Sequence, residues 1–592
     1  MPPARKESWG YRVQTDETGL TEPAPPELPS GVVTGTPPEI VTGTPPEIVP
    51  GTPPAIGPSI APGIARGALL IAGLTLLSRM LGLVRTLVFS QSVGAGCLGT
   101  AYVTANQVPN LIYELAIGGA LTSAMVPILA RSAERSWTDP NQRARVAQIT
   151  SALLTWAVVI LVPLMVIIAA TAQPIAELLI PANPNSACSR SDMVAVTHTM
   201  LVVFAPQVVL YGLSVVLFGL LQAYRRFTGP TLGPVIANLV MITSYLVFVP
   251  LDKGLPLGRT PLVAELVLAV GATLNIGALV VTAAPPTWRL HLRFRPTLHF
   301  PPGVMRLAGG LAFVGVLEFL AMDLVGVVTI GLANGHGDTG ALVMFNYVGM
   351  VFQAVSAVLA WSIVTSAFPV LSATDADTFD RTCAGSTRAV LLVSALGTAV
   401  IAAVCVPAAH ILAKQPSQVP ELIQGFALIA PGVIGGGVIY NMSRVMFALG
   451  RLKVAAAGLA GAPLLQLVLS VAFVEAVPAH LVVAALALAN SVSLLVVAVP
   501  MVIATRRIRG GAALQGVGHA TFASLVAGSV GAAVGLAATL AVPIGRKVVD
   551  AGSGALAAII AIAAFGVAAY LLDRGDLKTV ARRAGRIAKF RR

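Results

Sequence analysis

Fourteen apolar stretches dominate the sequence, and each is long enough to cross a lipid bilayer as a helix of about 20 residues. They centre on residues 64–90, 99–130, 147–172, 194–222, 230–250, 262–284, 304–333, 341–371, 388–412, 421–449, 454–475, 480–505, 518–543 and 552–572. Backbone amides cannot stay unpaired in hydrocarbon, and a helix pairs them within the segment. We therefore predict an all-α polytopic membrane protein with about 14 transmembrane helices, the second interrupted at Pro109.

The charged residues predict the orientation of the chain. Only 11% of the 592 residues are charged, whereas soluble domains carry about 25%. With fourteen spans both termini lie on one side, and the loops on that side contain seventeen Arg and Lys against six on the other. Positive residues collect in cytoplasmic loops. Both termini are therefore predicted to be cytoplasmic, and the net charge of +13 does not indicate a nucleic-acid partner.

The two ends of the chain differ from the apolar spans. Residues 1–60 are rich in proline and contain the repeat T-G-T-P-P-E-I-V at 34–41 and 42–49. Such a segment has no apolar face to bury. We interpret it as a disordered cytoplasmic tail, with a docking site for a cytosolic partner as the alternative. The basic segment 574–592 is predicted to lie on anionic membrane lipid.

Two short sequences suggest an internal repeat. L-Q-A-Y-R-R-F-T at 221–228 ends the fourth span, and M-F-A-L-G-R-L-K at 446–453 ends the tenth. An offset of six spans is even, so the two halves would run parallel. Parallel repeats of this kind place a substrate site at their interface near the membrane midplane.

Two arginines lie inside the first apolar span. A charge at the bilayer centre costs about 2.5–3.5 kcal/mol, so Arg79 and Arg85 are expected to face an aqueous cavity or a neighbouring helix. Ser78 and Arg85 share a helix face because they are seven residues apart, whereas Arg79 lies about 120° round the helix. For both arginines we keep open a substrate contact and a structural ion pair, the latter for Arg85 with Glu114 or Glu318.

Other polar residues also lie within spans. Glu114, Glu318 and Asp323 are candidate Na⁺ or H⁺ coupling sites, with buried partners of an arginine as the favoured interpretation. Asn110 and Asn238 are predicted to form hydrogen bonds between helices. Asn110 is also a candidate substrate contact, because it belongs to the P-N-L motif at 109–111.

Signatures of catalysis and of metal binding are missing from the sequence. It contains no G-x-x-x-x-G-K-[ST], H-E-x-x-H or G-x-S-x-G motif, and no histidine pairs with Cys or Glu at ligand spacing. We therefore expect neither an enzyme nor a resident cofactor or metal. Cys97 and Cys188 are interpreted as two unrelated small residues on the outer side, with a bridge between them as the alternative.

The motifs of the first, second and fourth spans resemble the MurJ/MviN lipid II flippases. These motifs are S-R-M-L-G-L-V-R at 78–85, G-A-G at 94–96, P-N-L at 109–111, G-G-A-L-T-S-A-M-V-P at 118–127 and L-Q-A-Y-R-R-F-T-G-P-T-L-G-P-V-I-A-N at 221–238. That family belongs to the group of multidrug, oligosaccharidyl-lipid and polysaccharide exporters. The resemblance implies two six-helix lobes around a central cationic cavity, plus two C-terminal helices that flank a lipid groove.

The resemblance implies two lobes at residues 61–300 and 301–510 and two further helices at 511–573, and it also implies the site. The composition adds the Pro-rich tail at 1–60 and the basic tail at 574–592. Ser78, Arg79 and Arg85 match functionally sensitive family positions, and the arginines would attract the pyrophosphate of a lipid-linked peptidoglycan precursor. Such a flippase would act in the bacterial cytoplasmic membrane, in contact with membrane lipids, by alternating access coupled to the membrane potential, Na⁺ or H⁺.

Several positions depart from the family pattern. Thr86 and Thr100 stand where acidic residues are common, Tyr113 and Glu114 stand where a basic residue is common, and residues 345–353 lack the expected arginine of the eighth span. The cavity is therefore expected to be less positive than is usual in the family. The alternatives to a lipid II flippase are an exporter of another lipid-linked glycan, a cation-coupled drug antiporter and a non-transporting membrane scaffold.

Overall fold

The structure, a computed structural model, describes residues 62–115, 129, 136, 139–252, 254–301, 304–373, 375–541 and 545–575. The Pro-rich segment 1–60 lies outside the described residues, and so does the basic segment from residue 576 onward. The disorder predicted for the first segment and the lipid contact predicted for the second therefore stay predictions.

Helices make up the first half of the described chain, which we call the N-terminal bundle. Its helices are α1 (Pro62–Ser92), α2 (Cys97–Leu115), α3 (Pro140–Ala170), α4 (Ala172–Leu179), α5 (Arg190–Ala223), α6 (Thr228–Asp252) and α7 (Leu262–Trp288). α2 runs through Pro109 without a break. Pro109 therefore does not interrupt the helix, contrary to the sequence-based expectation.

The second half contains what we call the C-terminal bundle and an appended helix pair. The bundle comprises α8 (Val304–His336), α9 (Ala341–Ala373), α10 (Ala376–Leu412), α11 (Gln418–Ile429), α12 (Gly432–Ala448), α13 (Leu452–Glu475) and α14 (Val482–Arg509). The appended pair is α15 (Val517–Leu540) and α16 (Lys547–Leu572), and both helices pack on α10.

The prediction of an all-helical membrane protein is confirmed. Within the described residues, thirteen helical segments are long and apolar enough to cross a membrane. They correspond to thirteen of the fourteen stretches predicted from sequence. The exception is the second stretch, 99–130, of which the structure describes a helix only as far as Leu115.

The tenth predicted span is two helices, α11 and α12, that meet at Pro431. A proline has no backbone N–H, so carbonyl groups near it lose their usual helical donor. Thr398 Oγ1 donates to the carbonyl of Ala430 at 2.9 Å, and Ser491 Oγ accepts from the Gly432 amide at 3.1 Å. Neighbouring helices thus pair the freed groups, which makes the break compatible with hydrocarbon surroundings.

Packing partners recur between the two bundles. In the N-terminal bundle α1 packs on α6, α2 packs on α5, and α5 packs on α3 and α7. In the C-terminal bundle α8 packs on α13, α9 packs on α12, and α12 packs on α10 and α14. Each C-terminal pair lies six predicted spans after its N-terminal counterpart, which is the offset suggested by the short sequence repeat. The lobe boundaries proposed from sequence stay predictions.

A disulfide joins Cys97 to Cys188, so the interpretation of these residues as unrelated was wrong. They are 91 positions apart in sequence, and their Cα atoms lie 5.6 Å apart. Cys97 begins α2, and Cys188 lies in the loop before α5. α2 packs along α5, which brings the beginnings of the two helices together. We call this end of the molecule the disulfide end.

Side chains at the disulfide end connect the two bundles through backbone carbonyls. Asn183 Nδ2 donates to the carbonyls of Asn334 and Gly337 at 2.9 and 2.8 Å. Lys414 Nζ donates to the carbonyl of Ser92 at 2.8 Å, and Gln418 Nε2 donates to that of Ala95 at 2.9 Å. These hydrogen bonds, all between described residues, hold the two bundles together at the disulfide end.

The packing of α12 on α14 makes a first testable prediction. A Cβ atom on Gly435 would lie 2.5 Å from the backbone carbon of Leu494, whereas one on Gly436 would meet only Leu494 Cδ1 at 3.8 Å. Overpacking of a well-packed contact costs about 1–3 kcal/mol. Gly435→Ala should therefore lower the melting temperature of the purified protein, and Gly436→Ala should leave it near the wild-type value. Equal melting temperatures for the two variants would contradict this close approach.

Candidate functional site

A cavity of about 350 Å³ lies between the two bundles. Its walls come from α1, α2, α5, α6 and α7 of the N-terminal bundle and from α9 of the C-terminal bundle. It reaches from Arg85 on α1 to Asn346 on α9. Alternating-access carriers of this architecture place their substrate sites at such an interface between repeats.

Arg85 is the one charged side chain among the described residues that line the cavity. No described carboxylate lies within ion-pair distance of its guanidinium, so the ion pair with Glu114 or Glu318 that the sequence left open is not formed. Thr86 stands next to it where the family pattern favours an acid, and its hydroxyl donates to the Gly82 carbonyl. Arg85 thus presents an unneutralised positive charge to the cavity.

Amide and phenol groups line the rest of the polar wall. They belong to Tyr102, Asn106, Gln107, Asn110, Tyr211, Tyr245, Asn275, Asn346 and Tyr347. The positive charge of Arg85 lies within electrostatic range of the Tyr102, Tyr211 and Tyr245 hydroxyls. Uncharged donors and acceptors of this kind suit the hydroxyl and amide groups of a glycan.

Several of these polar groups pair with one another across helices. Tyr211 Oη donates to Asn110 Oδ1 at 2.7 Å, which is the interhelical hydrogen bond expected for Asn110. Gln107 Nε2 donates to Asn346 Oδ1 at 3.1 Å and so joins α2 to α9, one helix from each bundle. The Tyr347 hydroxyl is buried without a hydrogen-bond partner. A bound polar molecule could use these groups in place of the internal pairs.

The other two candidates in the first span lie outside the cavity lining. Ser78 is partly buried, and its carbonyl accepts from Asn238 Nδ2 at 3.3 Å, which connects α1 to α6 as predicted for Asn238. Arg79 is exposed. The structure therefore separates the two arginines of the motif, because only Arg85 lines the cavity.

The three acidic candidates divide between two places outside the cavity lining. Glu114 on α2 and Asp323 on α8 lie within electrostatic range of each other, and Asp323 Oδ1 is buried without a hydrogen-bond partner. Glu318 on α8 lies near Arg444 instead. The described residues include no group of three His, Cys, Asp or Glu side chains that could hold a metal ion.

Arg444, a third arginine within an apolar span, was not among the site residues predicted from sequence. Its guanidinium lies 5.5 Å from the centre of the Phe368 ring and 5.7 Å from that of Phe447. The signal was present in the sequence, because Arg444 is the only charged residue between 422 and 450. The amides Gln107 and Asn346 were also overlooked, although each is a polar residue within a span.

Comparison with known proteins identifies the family of the chain. The sequence profile of the family described as "Lipid II flippase MurJ" matches residues 89–545. The lipid II flippase MurJ of Burkholderia cenocepacia is 29% identical over 185 residues, which are 31% of this chain and 34% of that protein. The probable lipid II flippase MurJ of Rhizobium tropici is 24% identical over 311 residues, 51% and 54% of the two chains. The chain thus aligns with only about a third to a half of the length of these relatives.

Solved structures share the fold. A structure described as lipid II flippase MurJ in an inward closed conformation aligns with a TM-score of 0.65 at 15% identity, over 86% of this chain and 99% of that one. An inward-facing multidrug resistance transporter of the MATE family aligns with a TM-score of 0.59 at 12% identity, over 73% and 95% of the two chains. At these identities the likeness concerns the fold alone. Because the family profile spans most of the sequence, the chain belongs to the lipid II flippase MurJ family.

Proposed function

We propose that this protein moves lipid II, a polyprenyl-pyrophosphate-linked peptidoglycan precursor, from the inner to the outer leaflet of the bacterial cytoplasmic membrane. The observation that carries the proposal is Arg85, which presents a positive charge, with no counter-charge among the described residues, to a polar cavity between two helical bundles. Membership in the lipid II flippase MurJ family supports the same cargo.

The chemistry of the cavity fits the head group of such a molecule. A guanidinium offers a planar pair of donors that matches two phosphate oxygens. The neighbouring amides and phenols would accept and donate hydrogen bonds to the sugars and the peptide. The polyprenyl tail is apolar and would stay in the membrane, so only the head group needs a polar path.

The arrangement of contacts favours alternating access. Polar contacts between described residues close the space between the bundles at the disulfide end. We infer that cargo enters from the opposite end and leaves after the contacts of the disulfide end break. Rocking of the two bundles would then expose Arg85 to each side in turn.

The disulfide supports the proposed orientation. Disulfides persist in oxidising compartments outside the cytoplasm. The Cys97–Cys188 bridge therefore favours an outward position for the disulfide end. The charge bias of the loops favours the same orientation, with both termini in the cytoplasm, since it places Cys97 and Cys188 on the outer side.

We propose that the membrane potential drives this transport and that the chain itself catalyses no reaction. An inside-negative potential favours outward movement of an anion by about 2.3 kcal/mol per charge per 100 mV. Na⁺ or H⁺ coupling through Glu114, Asp323 or Glu318 is a further proposal, for which the proximity of Glu114 to Asp323 offers support. We propose neither a resident cofactor nor a nucleic-acid partner.

A cytosolic partner that binds the Pro-rich segment is a separate proposal.

A different lipid-linked glycan is the second candidate cargo. The observation that favours it is the small charge of the cavity, in which Arg85 is the one charged side chain of the described lining. A cargo with a single phosphate would need fewer positive partners than a pyrophosphate.

The second testable prediction concerns Arg85. Arg85→Ala should abolish transport of fluorescent lipid II in proteoliposomes while the melting temperature stays near wild type, because no described carboxylate loses a partner. Arg85→Lys keeps the charge but loses the planar fork, so it should retain part of the activity. Arg259→Ala, a change at an exposed arginine in a loop, is the matched control and should transport normally.

A structural role for Arg85 makes a different prediction. Removal of one partner of a buried ion pair costs about 3–5 kcal/mol, so Arg85→Ala would then reduce the amount of folded protein. Glu114→Gln or Glu318→Gln added to Arg85→Ala would restore both folding and transport. Such a recovery would remove Arg85 from the substrate site. Rescue of cells depleted of their own lipid II flippase separates lipid II from another glycan.

The third prediction tests the orientation. Asn185 is exposed near the disulfide, and Asn141 is exposed at the beginning of α3. A membrane-impermeant maleimide added to intact cells should label Asn185→Cys and should label Asn141→Cys only after the cells are opened. The native cysteines give little background, because Cys383 and Cys405 are buried. Labelling of Asn141→Cys in intact cells would reverse the proposed orientation.

A further inference from the structure

Helix α9 runs from the cavity around Arg85 toward the end opposite the disulfide. None of residues 349–359 of α9 is buried, whereas buried residues occur in the helix both before and after this stretch. Tyr347, which lines the cavity, and Trp361 and Phe368 lie at multiples of seven residues and so share nearly one helix face. Trp361 is fifteen residues beyond Asn346, about 22 Å further along the helix axis.

Trp361 belongs to a cluster between α9 and α12. Its ring stacks on that of Tyr440, with the ring centres 5.5 Å apart and the planes at 24°. One turn further along α12, Arg444 lies over Phe368. Trp361 is nevertheless 50% exposed, so part of its indole remains open. The cluster therefore presents an aromatic surface with a guanidinium beside it.

The donors of Arg444 are not used within the described protein. Arg444 forms no hydrogen bond and no ion pair with another described residue, and its contacts are the two phenylalanine rings. Glu318 acts on it electrostatically but lies beyond ion-pair distance. A charged group in a membrane span normally faces water or a polar partner rather than lipid. Within the described residues, the N–H donors of Arg444 are therefore available to an anionic group that reaches α9 and α12.

From this arrangement we propose that Trp361, Tyr440 and Arg444 form a capture site for the sugar-phosphate head group of the cargo. This proposal rests on the proposed function. The indole stacks against the apolar C–H face of a sugar ring, and Arg444 binds phosphate oxygens. The capture site lies near the end of α12 and about 22 Å along α9 from the cavity wall, so the head group meets it before Arg85.

Two ligands, one with sugars and one without, distinguish the contribution of the aromatic pair from that of Arg444. The experiment measures equilibrium binding of lipid II and of polyprenyl pyrophosphate, which has no sugar, to the full chain in lipid nanodiscs. Trp361→Leu and Tyr440→Leu should raise the dissociation constant for lipid II about tenfold, equivalent to about 1.4 kcal/mol, with less than a twofold change for polyprenyl pyrophosphate. Arg444→Gln should weaken both probes, and Arg444→Lys should weaken them less.

Trp288→Leu is the matched control, because Trp288 is 72% exposed at the end of α7 and belongs to neither site. It should leave both affinities unchanged, and melting temperatures should verify that every variant is folded. If Trp361 serves only as an aromatic anchor at the membrane surface, Trp361→Leu will leave lipid II binding unchanged or will weaken both probes equally. Either result overturns the capture site.

Arg85→Ala distinguishes failure of the capture site from failure of the proposed function. If lipid II binds the wild type and Arg85→Ala weakens it while the three capture-site positions have no effect, the capture site is wrong and lipid II transport stands. If the wild type binds polyprenyl pyrophosphate but gains nothing from the sugars, the capture site is wrong and the cargo is a different polyprenyl phosphate. If the wild type binds neither probe, the proposed function is wrong, and the capture site falls with it.

Discussion

The positive charge of Arg85 within an apolar span is the constraint on which the central architecture depends. A guanidinium in hydrocarbon is costly, and a neutralising carboxylate would lower that cost. The structure supplies no such carboxylate from the described residues and surrounds the charge with amides and phenols instead. These groups stabilise a charge by their dipoles without cancelling it. The attraction for an anion is therefore preserved, and an ion pair would have lost most of it.

Internal hydrogen bonds join polar side chains of the cavity to one another across helices. Gln107 and Asn346 pair across the two bundles, and Tyr211 pairs with Asn110 within one of them. A single hydrogen bond has a net contribution of about 0.5–1.5 kcal/mol, because water or a ligand can replace it. Under the proposed function, a cargo rich in donors and acceptors would replace the Gln107–Asn346 hydrogen bond and so remove one connection between the bundles.

At the disulfide end, too, a few hydrogen bonds from uncharged or singly charged side chains connect the bundles. Asn183, Lys414 and Gln418 each donate to backbone carbonyls of the opposite bundle, and these contacts can break without leaving a buried charge pair. The Cys97–Cys188 bridge lies wholly on the N-terminal side, so it holds that side together without linking the bundles covalently. Under the proposed function, such contacts would allow the bundles to separate as units, which is the type of motion that rocking transport requires.

The sequence by itself determined the helical class and the approximate positions of the thirteen spans found among the described residues, since the length and polarity of each segment decide whether it can lie in hydrocarbon. It also marked Arg85 and the P-N-L asparagine as unusual, because polar residues stand out in an apolar span. Only the tertiary structure decided which of Arg79 and Arg85 faces the cavity, which cysteines pair, and that Arg444 lies beside an aromatic pair. Helical periodicity fixes the face on which a residue lies, but not the neighbour of that face. The neighbour depends on packing between helices far apart in sequence, as for Cys97 and Cys188 across 91 positions.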